Sequence, residues 1–299
     1  MIVITAPTSG IGRQVVQNLL AGGAGGADGA DGAVRVVARD PARLAPGVAE
    51  RVEIVRGSHR DPAVVATAFA GADAVFWLVP ADPKAASVEA AYAGFSQPAA
   101  EAFKRQDAGR VVGISALGRG TSVAGQAGLV TGSLAMDDLI AATGVPYRAL
   151  CMPSFMDNLL RQAGPIRDQG VFYGPGRPDL KAPTVATRDI ATVAARLLLD
   201  RSWTGAEEVP VLGPEDLSQQ DMAAIMSEVL GKPVRYQRTP AETYKNNFLG
   251  FGYSEPMAQG MLDMALAKDQ GLDNGVTRTP ELTTPTTFRQ WCIDVLSRQ

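Results

Sequence analysis

Short apolar runs alternate with stretches of helical periodicity over the first 150 residues. Residues 2–5 read as a strand. Residues 11–20 read as a helix with Ile11, Val15, Val16, Leu19 and Leu20 on one face. Further strands are predicted at 34–38, 52–55, 74–79, 111–115 and 147–152, and helices at 62–70, 99–106 and 134–142. Strands that are apolar on both faces and alternate with helices imply a parallel sheet covered on both sides. The fold class expected is therefore α/β, a doubly wound parallel sheet of Rossmann type. The run 22–32, between the first helix and the second strand, is too glycine-rich to hold either regular structure.

After Pro153 the pattern loosens. Helices are predicted at 189–199 and 218–230, the second opened by Ser218 as N-cap and stopped by Gly231-Lys232-Pro233. Strands are predicted at 208–212 and 234–237, and 241–270 reads as mostly helical with a break near 250–256. These elements divide the chain into a dinucleotide-binding domain over 1–152, with 186–212 packing back onto it, and a smaller substrate-capping portion from 153–185 and 213–299.

Composition narrows the partners. A net charge of −3 without a basic block argues against nucleic acid, whose phosphates need a clustered positive face. No apolar run reaches the roughly 18 residues of a membrane span, and the first residues form a strand rather than a signal peptide. The expectation is a cytoplasmic protein with no membrane partner, in which Cys151 and Cys292 are reduced thiols. A single histidine, His59, nearly excludes a histidine-based metal site or a Ser-His-Asp triad.

The first strand runs into Ala6-Pro7-Thr8-Ser9-Gly10-Ile11-Gly12-Arg13 and then a helix, the place for a nucleotide-binding turn. A helix N-terminus offers free N–H groups and a positive dipole end to a pyrophosphate. The spacing G-x-x-G-x-x-G becomes Ala6-x-x-Ser9-x-x-Gly12, so only the third glycine remains. A turn that merely joins strand to helix is the competing reading. Arg39 directly follows the second strand, where an arginine accommodates a ribose 2′-phosphate. The alternative for Arg39 is a solvated loop charge beside Asp40.

Several segments together resemble the NmrA-like branch of the atypical short-chain dehydrogenase/reductases. They are residues 6–12, Ala38-Arg39-Asp40-Pro41, Gly71-Ala72-Asp73-Ala74-Val75-Phe76, Gly144-Val145-Pro146-Tyr147, Pro153-Ser154-Phe155-Met156-Asp157-Asn158 and Val211-Leu212-Gly213-Pro214-Glu215. Their order and spacing carry the resemblance over nearly the whole chain. It implies NADP(H) held near Thr8, Ser9, Gly10, Ile11, Gly12 and Arg13, by Arg39, by the loop Leu78-Val79-Pro80, and by Ser115 and Ala116. The departures are Ala6 and Ser9 for glycines, and Ser58 where an aspartate commonly follows Gly57. They imply cofactor affinity that is weakened or lost. Members of this branch include quinone, triphenylmethane-dye and iminium reductases, and sensors that bind the cofactor without turnover.

Ordinary short-chain dehydrogenases protonate a carbonyl oxygen with a Tyr-x-x-x-Lys pair. Residues 129–140 hold neither tyrosine nor lysine; Ser133 and Asp137 fill the helix positions where relatives often carry Lys or His and Glu. An electron-poor or cationic acceptor needs no such acid, so the expected activity is NADPH-dependent hydride transfer to an iminium, a quinone or a dye-like cation. Ser115 is a candidate to orient the substrate, with a serine bonded to its own backbone as the alternative. Phe155, Asn158, Tyr173, Phe248 and Phe251 are the candidate substrate residues, with Met156, Phe172, Tyr244 and Tyr253 adding apolar surface for a small aromatic or polycyclic ligand. Core packing is the alternative for each. His59 is expected in a solvated loop near the adenine. A cofactor-binding redox sensor and a cofactor-free isomerase or cyclase on the same fold stay open as alternatives.

Overall fold

The computed structural model describes residues 1–23, 33–105 and 108–299. Residues 24–32 of the predicted glycine-rich loop and the last predicted residue of the 99–106 helix lie outside these. The first half runs β1 (Ile2–Thr5), α1 (Gly10–Ala21), β2 (Val34–Ala38), β3 (Glu53–Arg56), α2 (Pro62–Phe69), β4 (Ala74–Trp77), α3 (Val88–Ala91), α4 (Ala93–Lys104), β5 (Val111–Ala116), α5 (Leu129–Ala141) and β6 (Tyr147–Met152). The second half runs β7 (Ser154–Phe155), α6 (Ala163–Gln169), β8 (Val171–Gly174), β9 (Ala182–Val185), α7 (Thr187–Leu199), β10 (Ala206–Pro210), β11 (Asp216–Leu217), α8 (Gln219–Leu230), β12 (Arg235–Arg238), α9 (Ala241–Gly250), α10 (Glu255–Asp269) and α11 (Phe288–Asp294).

Seven strands form one parallel sheet in the order β10-β6-β5-β4-β1-β2-β3. The chain order reverses between β1 and β4, the switch point at whose C-terminal side such sheets bind ligands. Alternate side chains of each strand feed two cores. Ile4, Phe76 and Leu150 face Val15, Leu19 and Ile190 of α1 and α7; Val3, Trp77 and Val111 face Phe69, Phe103 and Met136 of α2, α4 and α5. Each such buried side chain stabilises the sheet by about 1.5–3 kcal/mol. A separate cluster around Met156, Phe172, Met226 and Trp291 holds the later elements together. There β9 lies between β7 and β11, and β8 pairs with β12.

Where boundaries depart from expectation, the cause is local. β4 stops at Trp77 rather than 79 because side chains take over the backbone of Leu78. α4 starts before Pro98, which reads as a helix stop; burial of Phe95, Ser96, Ala99 and Ala100 carries the helix through it. α5 begins five residues early, at Leu129, although Gly132 lowers the helical propensity there. The strands β7, β8 and β9 are not predicted: β7 has two residues, and Gly174 in β8 and Pro183 in β9 interrupt the apolar pattern.

Candidate functional site

The turn between β1 and α1 folds around Ala6, whose φ is 48°. This left-handed conformation is what a glycine at that position ordinarily supplies. Ser9 is the N-cap of α1. Its hydroxyl donates to the Ala6 carbonyl at 2.8 Å and accepts from the Gly12 N–H at 3.0 Å. A Cβ on Gly12 would collide with the Ala6 carbonyl oxygen, so the third glycine of the motif is required by backbone approach. The N–H groups of Gly10 and Ile11 have no intrahelical partners. Nothing stands over Gly10, where an added Cβ would meet no atom within 4 Å. Thr8 is half-buried beside the turn, and Arg13 is exposed in the first turn of α1.

Arg39 is exposed at the C-terminal end of β2 and has no carboxylate partner among the described residues. Asp40 is occupied differently: its carboxylate accepts the Ala42 N–H at 3.2 Å and caps the helical turn that follows. His59 corrects an expectation. It is buried rather than solvated, 7% exposed, with its ring edge-on to Trp77 and Phe95. Burial pushes its pKa down to about 4; the Leu78 carbonyl opposes this and the nearby Arg39 charge adds to it. The neutral ring's Nε2–H donates to the Leu78 carbonyl at 3.0 Å, while Thr5 Oγ1 accepts the Leu78 N–H at 2.9 Å. Both backbone groups of Leu78 are thus held by side chains. Val79, half-buried, and Pro80, exposed, continue the loop over the end of the sheet.

Ser115 is the penultimate residue of β5 and bonds a side chain rather than its own backbone. Its hydroxyl meets Asp137 Oδ2 in a short hydrogen bond, and Tyr147 OH donates to Asp137 Oδ1 at 2.6 Å. Ser133 Oγ lies 3.5 Å from Ser115 Oγ. Asp137 is 3% exposed, on the face of α5 that also buries Ser133, Met136 and Ile140. Burial raises its pKa to about 7, against the two hydrogen bonds and the Arg119 charge. Tyr147, fully buried, keeps its proton far above the usual phenol range. Gly113 makes room for this phenol, since a Cβ there would strike the Tyr147 hydroxyl. Ala116 follows, half-buried. Sequence reasoning noted Asp137 only as a departure from the usual helix residues, and passed over Tyr147. The available signal was an acid spaced with Ser133, Met136 and Ile140 on one buried helix face.

Among the aromatic candidates, Phe248 is a hub, its ring 5.1 Å from Tyr244, 5.0 Å from Tyr253 and 6.4 Å from Phe251. Ser254 fastens this cluster to the segment after Pro80: its N–H donates to the Pro83 carbonyl at 2.9 Å and its hydroxyl to the Ala85 carbonyl at 2.6 Å. Phe251 is 79% exposed. Tyr173, 38% exposed, has its backbone clasped by the Gln162 amide and no ring contact with this cluster. Phe155 packs against the first core and Asn158 is exposed. Met156 and Phe172 belong to the third core. A cavity of about 590 Å³ between α3, α5 and α10 is lined by none of the predicted site residues. Gly128, Gly132 and Gly260 are among its lining residues, and their missing side chains admit Val88, Leu129 and the Gly260 backbone.

The open turn above Gly10, the helix N-terminus and the unpaired Arg39 fit a dinucleotide phosphate. Comparison with known proteins identifies the family. Over 284 residues the chain is 28% identical to an NAD(P)H azoreductase of Xenophilus azovorans, covering 95% of this chain and 93% of the relative. Over 297 residues it is 30% identical to a (4-alkanoyl-5-oxo-2,5-dihydrofuran-3-yl)methyl phosphate reductase of Streptomyces griseus, covering 97% and 96%. The fold matches the Citrobacter sp. triphenylmethane reductase complexed with NADP(H), with a TM-score of 0.76, 18% identity and coverage of 100% and 99%. Residues 8–201 match the NAD(P)H-binding family and residues 135–291 the NmrA-like family. The chain is thus a member of the NmrA-like family, built on an NAD(P)H-binding domain of Rossmann type.

Proposed function

We propose that this protein is a reductase that takes NADPH as cofactor and passes hydride to an activated organic acceptor, such as a quinone, an iminium or a dye-like cation. The relatives' names support reduction as the reaction class. Arg39 is the observation that carries the cofactor preference: an exposed guanidinium at the end of β2, free of carboxylates among the described residues. It pairs with a 2′-phosphate bidentately. The turn from Thr8 to Arg13 holds the pyrophosphate through backbone N–H groups, and the Leu78–Pro80 loop, fixed by Thr5 and His59, borders the cofactor. When bound, NADPH supplies the hydride. The aromatic group of Tyr244, Phe248 and Tyr253 offers π faces to a flat acceptor and favours a cationic one. Segments 153–185 and 213–299 form the acceptor side.

Fluorescence titration tests the cofactor assignment. Arg39→Ala weakens NADPH by on the order of 2 kcal/mol, about thirtyfold, and leaves NADH nearly unchanged. Equal affinity of the wild type for both cofactors would overturn it.

A further inference from the structure

We infer that Asp137 is a positioning residue that sets the direction of the Ser115 hydroxyl, so that Ser115 donates toward the acceptor only while Asp137 is protonated. The inference rests on the reductase reading for its consequence, though not for its geometry.

Hydrogen-bond polarity carries it. Tyr147 has one hydroxyl hydrogen, and at 2.6 Å that hydrogen is directed to Asp137 Oδ1. A proton on Asp137 therefore sits on the other oxygen, Oδ2, which faces Ser115 Oγ. Oδ2–H then donates to Ser115, whose own hydrogen must turn elsewhere. Ser133 Oγ, at 3.5 Å, is too distant to hold it well, and the Cys151 thiol, which also reaches the Ser115 hydroxyl, is a weak acceptor. Ser115 is 5% exposed at the C-terminal end of β5, the side on which such sheets bind their ligands. When Asp137 ionises, Ser115 must donate inward to the carboxylate, and the outward donor is gone. The arrangement is built: Gly113 exists to admit the Tyr147 ring, and the acid is buried between α5, β5 and β6.

The charged groups facing Asp137 are Arg119, beyond the end of β5, which favours the carboxylate, and Glu208 of β10, which disfavours it. Cys151 of β6 stays a thiol, its pKa pushed up by burial. Burial of Asp137 outweighs its hydrogen bonds and brings its titration to neutral pH.

The consequence differs between acceptors. A quinone that receives hydride becomes a hydroquinone anion, which solvent then protonates. An outward Ser115 O–H stabilises the charge as it develops, and one such donor is typically worth about 10²–10³ in kcat. A dye cation becomes neutral on receiving hydride and gains nothing from the donor.

Two measurements test this. In the protein without cofactor, infrared spectroscopy should show a protonated carboxyl band that titrates across neutral pH, shifts in Ser115→Ala and is absent in Asp137→Asn. No such band on the acid side of neutrality means a permanently ionised Asp137 and overturns the inference. In turnover, wild-type kcat for a quinone should fall at least about tenfold as pH rises through neutrality, while kcat for a triphenylmethane cation stays level. Asp137→Asn keeps its amide N–H on the Ser115 side, because Tyr147 still donates to Oδ1. It should lose the pH dependence and exceed the wild type about tenfold with quinone at alkaline pH, a gain that misfolding cannot produce. A variant with the wild-type slope overturns the inference. Failure to oxidise NADPH with any acceptor overturns the reductase reading instead, and the infrared result then decides the Ser115 switch alone.

Discussion

Ala6 is the single described non-glycine residue with a left-handed backbone, and it stands at the first glycine position of the turn. Holding an L-residue there costs roughly 1–2 kcal/mol, of which glycine's extra freedom in the unfolded chain would return about half. Ala6→Gly should therefore stabilise the protein by about 1 kcal/mol, raising Tm by a few degrees in a thermal melt. An unchanged or lower Tm would show that the turn carries no strain. The departure from the glycine pattern was legible in the sequence; its geometric cost was not, since φ depends on how β1 and α1 meet. The same holds for the acid network. Asp137, Tyr147 and Ser115 are separated along the chain and converge only when α5 docks on β5 and β6. His59 was misread because its partners, Trp77, Phe95 and the Leu78 carbonyl, come from later elements.

At the scale of elements, helices with capping chemistry were the most readable. Ser218 caps α8 as the sequence implies, and Asp221 completes a capping box by accepting the Ser218 N–H at 2.9 Å. The pause between α9 and α10 also falls where 250–256 suggests, with Ser254 fixing its place. The substrate-side assignment gives this joint a role. Ser254→Ala removes the hydroxyl bond to Ala85 and frees the Tyr244–Phe248–Tyr253 cluster to drift from the loop after β4. We expect KM for an aromatic acceptor to rise about threefold to tenfold, in keeping with one lost hydrogen bond of about 1 kcal/mol, while NADPH affinity holds. Steady-state kinetics with parallel NADPH titration separates the two. A matched loss of cofactor affinity would mean that the joint supports the whole crevice.

Across the whole molecule, two buried titrating groups tilt stability in opposite directions. His59 has a folded pKa near 4, below its unfolded value of 6.5. Its contribution is complete above pH 6.5 and is lost as pH falls toward 4. Asp137 has a folded pKa near 7, above its unfolded 3.8, so its contribution is complete below that lower value and is lost as pH rises toward 7. Between about pH 4 and 6.5 the slopes offset. Relative to the wild type over that range, His59→Leu should tilt Tm toward falling with rising pH, and Asp137→Asn should tilt it toward climbing. Calorimetry over that range checks the signs, and parallel curves for all three proteins would refute the assignment. The sheet carries a consequence of another kind. β6 is buried along its full length, yet one of its edges is completed only by β10, register Ala206 to Tyr147. During translation, a nascent chain that has emerged only through Met152 displays an unpaired apolar strand edge, open to pairing with other chains. It keeps that edge until residues 206–210 leave the ribosome, so the stretch from β7 to α7 is the interval in which that edge stands open to mispairing.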